Sequence, residues 1–304
     1  MTIGKNESFF NGLEIKIYSE KDGISDKYAY KIMVDYDDEE NGLTITGKFK
    51  DLMNDPQISD MQALVIGSWE EAFDMSPDDL FTSIIENSDK LQNLKALFIG
   101  EMTFEECEMS WINQGNYTEI LNSFKGLEVL RVRGANGLKL GSVNHRNLKT
   151  LIIESGGLDS EVIMDLIKSN LPSLKHLELW LGVEDYGFNG DLKTLKPLFD
   201  NPFPNITYLG IKNSEIVDNV ASYLANHAIL EKIDTLDLSL GTMTDVGGEA
   251  LLSGSKVNSL KKLDLHHHFM SAGMMKKLTG LSIDVDITNK NEDEDDWRYV
   301  YVSE

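Results

Sequence analysis

The chain is short of cysteine, of positive charge and of long apolar runs, and each shortage excludes a class of protein. A single cysteine, Cys107, rules out an intramolecular disulfide and any cysteine-rich zinc module. Lys and Arg number 28 against 51 Asp and Glu, a formal charge of −23 that repels nucleic-acid phosphates and anionic membrane surfaces. The opening MTIGKNESFFNG lacks the apolar segment of a secretory signal, and no apolar run approaches a membrane span, so a cytoplasmic location is expected. The sequon Asn116-Tyr117-Thr118 then carries no meaning. Catalytic signatures are missing as well. There is no phosphate loop ending in Gly-Lys-Ser or Gly-Lys-Thr, no His-Glu-x-x-His, no Gly-x-Ser-x-Gly and no cysteine pair, so neither a cofactor nor an enzymatic activity is expected.

Apolar residues make up 41 % of 304 positions, enough for a sizeable core. They recur as Leu-x-x-Leu-x-x-Leu-x-Leu, most clearly in LQNLKALFI, FKGLEVLRV, LPSLKHLEL, FPNITYLGI, LEKIDTLDL and VNSLKKLDL, with ISDMQALVI and HRNLKTLII as further copies. These register on Leu64, Leu97, Leu130, Leu151, Leu177, Leu209, Leu236 and Leu263, and a weaker ninth copy is expected at Leu281. Such spacing is that of a leucine-rich repeat, in which each strand buries its apolar side only by stacking on the next. The predicted fold is an α/β leucine-rich-repeat solenoid: a horseshoe of about 8–9 irregular repeats with a parallel concave sheet and helices or loops on the convex side.

Residues 58–287 form the expected solenoid. Residues 1–57 do not repeat, and KYAYKIMVDYDDEE alternates as strands do, which predicts a β-containing N-terminal cap. In the connections, Ser76 with Pro77 predicts one helix start and Asp159 another; IVDNVASYLANHAIL reads as helix, and the glycine-bearing segment after Leu130 does not. Residues 288–304 are expected to form an acidic linker, Glu292 to Asp296, and a short strand in WRYVYVSE that closes the last repeat.

The strings ALVIGSW, EECEMSWI, LRVRG, LELWLGVEDYG, LDLSLGTMTDVG, LDLHHHF and RYVYVSE resemble a family of bacterial cytoplasmic leucine-rich-repeat proteins. Its architecture is ribonuclease-inhibitor-like and it has no assigned activity. The resemblance implies a partner or scaffold role and transfers no catalytic residue. The asparagine usual at the fifth position after the register leucine is absent here; Trp69, Met102, Ala135, Gly156, Gly182, Ser214, Gly241 and His268 stand there instead.

Alternation assigns faces. Positions −1, +1 and +3 from the register leucine point to the concave side, which places Arg131, Arg133, Glu154, His176, Glu178, Trp180, Tyr208, Lys212, Asp237, Asp264 and His266 there. Arginine, tryptophan and tyrosine are enriched at interaction hot spots, so these residues are the candidate surface for a protein or peptide partner. An exposed Trp180 would be an anchor, whereas Trp69 and Trp111 are expected in the core and Cys107, flanked by glutamates, is expected to be inert. Asp237 and Asp264 share a column about 4.8 Å apart, so they repel unless a cation lies between them. The alternative reading is a divalent-metal site from Asp237, Asp264, His266 and His267, with His268 turned inward as a structural residue.

Overall fold

The computed structural model describes residues 3–292 and 297–304. A sheet of 12 strands runs in sequence order through the chain. Its strands are β1 (Phe9–Phe10), β2 (Leu13–Ile17), β3 (Tyr28–Ile32), β4 (Ala63–Ile66), β5 (Ala96–Ile99) and β6 (Val129–Arg133). They continue as β7 (Thr150–Glu154), β8 (His176–Gly182), β9 (Tyr208–Ser214), β10 (Thr235–Asp237), β11 (Lys262–Asp264) and β12 (Asp284–Asp286). All neighbours pair in parallel except β1 with β2.

The register is that of the leucine column. Leu64 lies opposite Leu97, and the line continues through Leu130, Leu151, Leu177, Leu209, Leu236 and Leu263. Each of these side chains is buried, as are their partners two residues on, such as Ile99, Leu179 and Leu265. Burial of a leucine stabilises by about 1.5–3 kcal/mol, so this column is the backbone of a leucine-rich-repeat solenoid. The ninth copy registers on Val285 opposite Leu263, not on Leu281, which is half-buried in the preceding turn.

The sheet also runs further toward the N-terminus than the leucine pattern does. Tyr30 of β3 lies opposite Leu64, and β2 pairs in parallel with β3, so the segment before residue 58 extends the solenoid sheet. Tyrosine in place of leucine hid that repeat. The β1–β2 hairpin turns Phe10 over the concave side, where Ala29, Ala63 and Ala96 leave room for it against Phe98, ring centroids 5.6 Å apart.

On the convex side lie α1 (Tyr36–Glu40), α2 (Ile45–Leu52), α3 (Asp78–Glu86), α4 (Thr118–Ser123), α5 (Ser160–Lys168), α6 (Leu192–Asp200), α7 (Val217–Leu224), α8 (Asp245–Ser253) and α9 (Ala272–Leu278). Asp159 caps α5 by accepting from the Glu161 amide. Ser76 does not cap α3: its hydroxyl donates to the Asp78 carboxylate and the helix starts at Asp78. No helix joins β6 to β7, in keeping with the glycines there. Among the described residues, no helix is long and apolar enough to cross a membrane. Trp69 is buried and donates to the Met75 carbonyl, but Trp111, expected in the core, is 52 % exposed.

The C-terminus departs most from expectation. It forms no strand on β12; it turns back across the C-terminal ends of the strands as an extended strap. The Tyr299 carbonyl meets His267 after β11, the Tyr301 amide donates to Leu240 after β10, and Val302 reaches Asn213 at the end of β9. Beyond them the Ser303 carbonyl accepts from the Ser110 hydroxyl and Tyr186 donates to the Glu304 carboxylate. Val302 and Leu240 then cover Trp180 and Met109. Of the acidic run, Asp293 to Asp296 lie outside the described residues, and Glu292 accepts from Lys290.

One backbone feature receives the strap. Asn213, Leu240, His267 and Asn289 each stand four residues past the inward column, and each has a positive φ, between 50° and 65°. A non-glycine residue in that region costs on the order of 1 kcal/mol, so the repeated turn is held by what packs on it. Asn213 is fully buried; its amide donates to the Val302 carbonyl at 2.6 Å while its carbonyl accepts the Val302 amide at 2.9 Å. A side chain thus imitates a neighbouring strand. Replacing Asn213 by Gly keeps the turn and removes both bonds, together with a third from the same side chain to the Ser155 carbonyl, which should cost about 1–3 kcal/mol, whereas Ala adds turn strain to the same loss. In thermal melts both variants should fall below wild type with Ala lowest, and removing residues 298–304 should lower the midpoint as well. An unchanged midpoint in Asn213→Gly would contradict the strap's contribution.

Candidate functional site

Parallel register turns the +1 and +3 positions into rows that cross the sheet, and most of the charged concave residues lie on them. Arg131 and Arg133 on β6 face Glu154 on β7, at 2.7 Å from Nε in each case. Glu7, from the segment before β1, closes the group by accepting from Arg131 at 2.7 Å. The two guanidinium groups lie 4.4 and 5.4 Å from the Phe98 ring centroid. Arg133 and Glu154 are almost wholly buried, so removing Glu154 would leave the Arg133 guanidinium with only Glu7, at 3.7 Å, a loss of about 3–5 kcal/mol. Burial works against the Arg131 charge, but Glu154 and Glu7 outweigh it and raise its pKa. A neighbouring pair, Lys31 with Glu101 at 2.5 Å, is buried too and draws in Asn6 and the Glu7 amide. Lys31 and Glu101 escaped the sequence reading; a lone lysine within the apolar strand YAYKI was the available signal.

The second group lies on β8 to β10. Glu178 accepts from the Trp180 indole at 2.6 Å and pairs with Lys212 at 3.2 Å. Lys212 also reaches Asp237 at 3.3 Å and stands 5.3 Å from the Trp180 ring centroid. The Tyr208 hydroxyl donates to Asp237 at 2.5 Å while its ring stacks on His176, centroids 3.8 Å apart. Burial opposes ionisation of Glu178, yet His176, Lys212 and Trp180 together hold its pKa down at about 2. Burial, then Asp237 and Glu178, push the Tyr208 hydroxyl far above its usual range. Gly210 separates Tyr208 from Lys212, and a side chain there would meet Tyr208 at 3.1 Å and Glu178 at 3.2 Å. Trp180, expected to be an exposed anchor, is instead 7 % exposed beneath the strap.

The third group is on β11 and β12. Asp237 and Asp264 do pair in register, and their mutual repulsion is relieved by this chain's own lysines, Lys212 at Asp237 and Lys262 at Asp264, 2.8 Å. His266 Nδ1 lies 2.7 Å from the other Asp264 oxygen. The metal set of Asp237, Asp264, His266 and His267 does not converge. Among the described residues, the one group of three or more with ligand atoms within 4.8 Å of one another is Asp264, His266 and Asp286, which sequence reasoning passed over because Val285 was not recognised as a register position. His267 turns away to the strap, with Nε2 at 3.3 Å from the Tyr299 carbonyl and the rings of Phe269, Tyr299 and Tyr301 around it. His268 points inward as expected: Nδ1 accepts from the Met270 amide and Nε2 donates to the Ile287 carbonyl. Cys107 is half-buried, and burial followed by the Glu108 charge pushes its thiol up to about 11, which leaves it protonated and inert at neutral pH.

Two cavities of about 600 Å³ each remain open on this face, and they share Trp180 and Tyr301. One is bordered by Lys5, Asn6 and Arg131, the other by Lys212, His266 and Lys290.

The histidines divide by environment. The hydrogen bond to Asp264 raises the His266 pKa above 6.5 despite burial, while burial lowers those of His145, His267 and His268. The His266–Asp264 contribution to stability is therefore present below the ordinary histidine pKa and is lost as pH rises through the raised folded value. The three buried rings contribute above that ordinary pKa and lose their contribution as pH falls. A histidine-resolved NMR titration should show His266 titrating above 6.5 and the other three below it. Asp264→Asn should move His266 downward; an unmoved His266 would contradict the pairing.

No protein-family description matches the chain, and no curated protein does. Among solved structures, a Bacteroides fragilis protein superposes with a TM-score of 0.84 at 33 % identity, covering 91 % of this chain and 78 % of that one. An internalin from Listeria monocytogenes aligns over 86 % of this chain and 74 % of its own, with a TM-score of 0.37 and 13 % identity, too distant to bear on the site. At that identity and coverage, the chain belongs to the family of the Bacteroides fragilis protein.

Proposed function

We propose that this protein is a non-catalytic, cytoplasmic scaffold that binds an extended segment of a partner protein across its concave face. The observation that carries the reading is the strap. Residues 299–304 cross the strand ends as an extended peptide, their backbone groups held by the Leu240 carbonyl and by the Asn213 side chain. A surface that holds one extended segment through backbone groups has the chemistry to hold another beside it. The two cavities on either side of Trp180 and Tyr301 supply the space.

Glu7 and Glu154 already engage Arg131 and Arg133, so that end has little positive charge to offer an acidic partner. His176, Tyr208, Lys262 and His266 retain part of their surface and present polar and aromatic contact instead.

Panning a displayed peptide library against the full-length protein should enrich binders. Lys5→Glu and His266→Glu, one at each cavity and neither a member of the buried Arg133–Glu154 ion pair, should each weaken a selected peptide by about tenfold. Selected peptides that bind both variants as tightly as wild type would exclude the concave face.

A further inference from the structure

A third cavity, about 390 Å³, lies outside the concave face, on the loops that follow β3, β4 and β5. Its surface is formed by Val34, Trp69 and Ala72, and Tyr36 and Phe73 border it with 72 % and 62 % of their surface exposed. Large aromatic side chains left in water over a preformed hollow mark a contact surface rather than a packing surplus. The loops are fixed to one another: the Val34 amide donates to the Ser68 carbonyl, and the Ser68 hydroxyl donates back to the Val34 carbonyl at 2.7 Å.

The charge around this hollow has one sign. Asp35, Glu39, Glu71, Glu105 and Glu106 line it, and no lysine or arginine does. Glu106 is held by Thr103 and Asp35 by the turn into α1, whereas the side chains of Glu39, Glu71 and Glu105 have no hydrogen bond or ion pair among the described residues. On the concave face the carboxylates Glu154, Glu178, Asp237 and Asp264 are each met by a lysine or arginine of this chain. The loop cavity is therefore complementary to cations that another molecule brings.

We infer that the cavity bounded by Tyr36, Trp69 and Phe73 is a second docking surface, for a partner segment in which arginine or lysine alternates with apolar side chains. The apolar side chains enter the hollow over Trp69. A guanidinium or ammonium group lies against the Tyr36 or Phe73 ring, within reach of Glu39, Glu71 and Glu105.

Fluorescence anisotropy with labelled synthetic peptides tests this at about 150 mM salt, where long-range attraction is screened. The probes are an alternating Arg–Leu peptide, an Arg–Ser peptide of equal charge and a Glu–Leu peptide of equal apolar content. The Arg–Leu peptide should bind about tenfold more tightly than either control. Glu39→Gln with Glu71→Gln and Glu105→Gln, and separately Tyr36→Ser with Phe73→Ser, should each weaken it by about tenfold. Asp284→Asn with Asp286→Asn, a distant neutralisation, should leave it unchanged, as should Lys5→Glu and His266→Glu, which separates this surface from the concave one. Equal binding of the Arg–Ser peptide, an unaffected Glu triple variant, or equal weakening by the distant neutralisation would overturn the inference.

Discussion

The structure rests on one constraint: a short strand with one apolar side has to find the next strand in register. The inward column from Leu64 to Val285 meets it, and everything else follows from that alignment. Because the side-chain period along a strand is two, fixing the leucines fixes the opposite rows as well. Carboxylates, lysines and arginines on successive strands then sit opposite or next to one another whether or not that is favourable. Favourable pairings are the result: Arg131 and Arg133 with Glu154, Lys212 between Glu178 and Asp237, Lys262 on Asp264.

Alignment also dictates how each strand ends. In the last four repeats the chain leaves the sheet at the same place, at the row of left-handed residues Asn213, Leu240, His267 and Asn289. They lie at the sheet's C-terminal edge, and the strap bonds three of them in succession, through the His267 side chain, the Leu240 carbonyl and the Asn213 side chain. The concave face is therefore already partly engaged, by an apolar hairpin at one end, internal ion pairs in the middle and the chain's own C-terminus along the edge.

Repeats announced by leucine were legible in the sequence, down to the register position of all eight strands from β4 to β11. Repeats in which another residue fills the inward column were not: Tyr30 and Val285 do the work of leucine, and alternation around Tyr30 signalled a strand without its register. The faces of Arg131, Glu178 and Asp264 could be assigned from alternation, since that depends on period alone. Their exposure could not, because it depends on segments distant in sequence. Glu7 reaches Arg131 and Val302 covers Trp180 through contacts that no local pattern encodes. Trp111 errs in the other direction, since an irregular connection gives no period from which to deduce its face.

The central claim is that the concave edge holds an extended peptide by hydrogen bonds to that peptide's backbone, the strap being the resident example. Hydrogen–deuterium exchange of the full-length protein, followed on peptic fragments that contain Tyr301 and Val302, measures this directly. Both amides are donors to buried acceptors, so their exchange should be slowed by about a hundredfold or more relative to an unstructured chain. Complete exchange of these amides at the earliest time point, with β8 and β9 still protected, would contradict it.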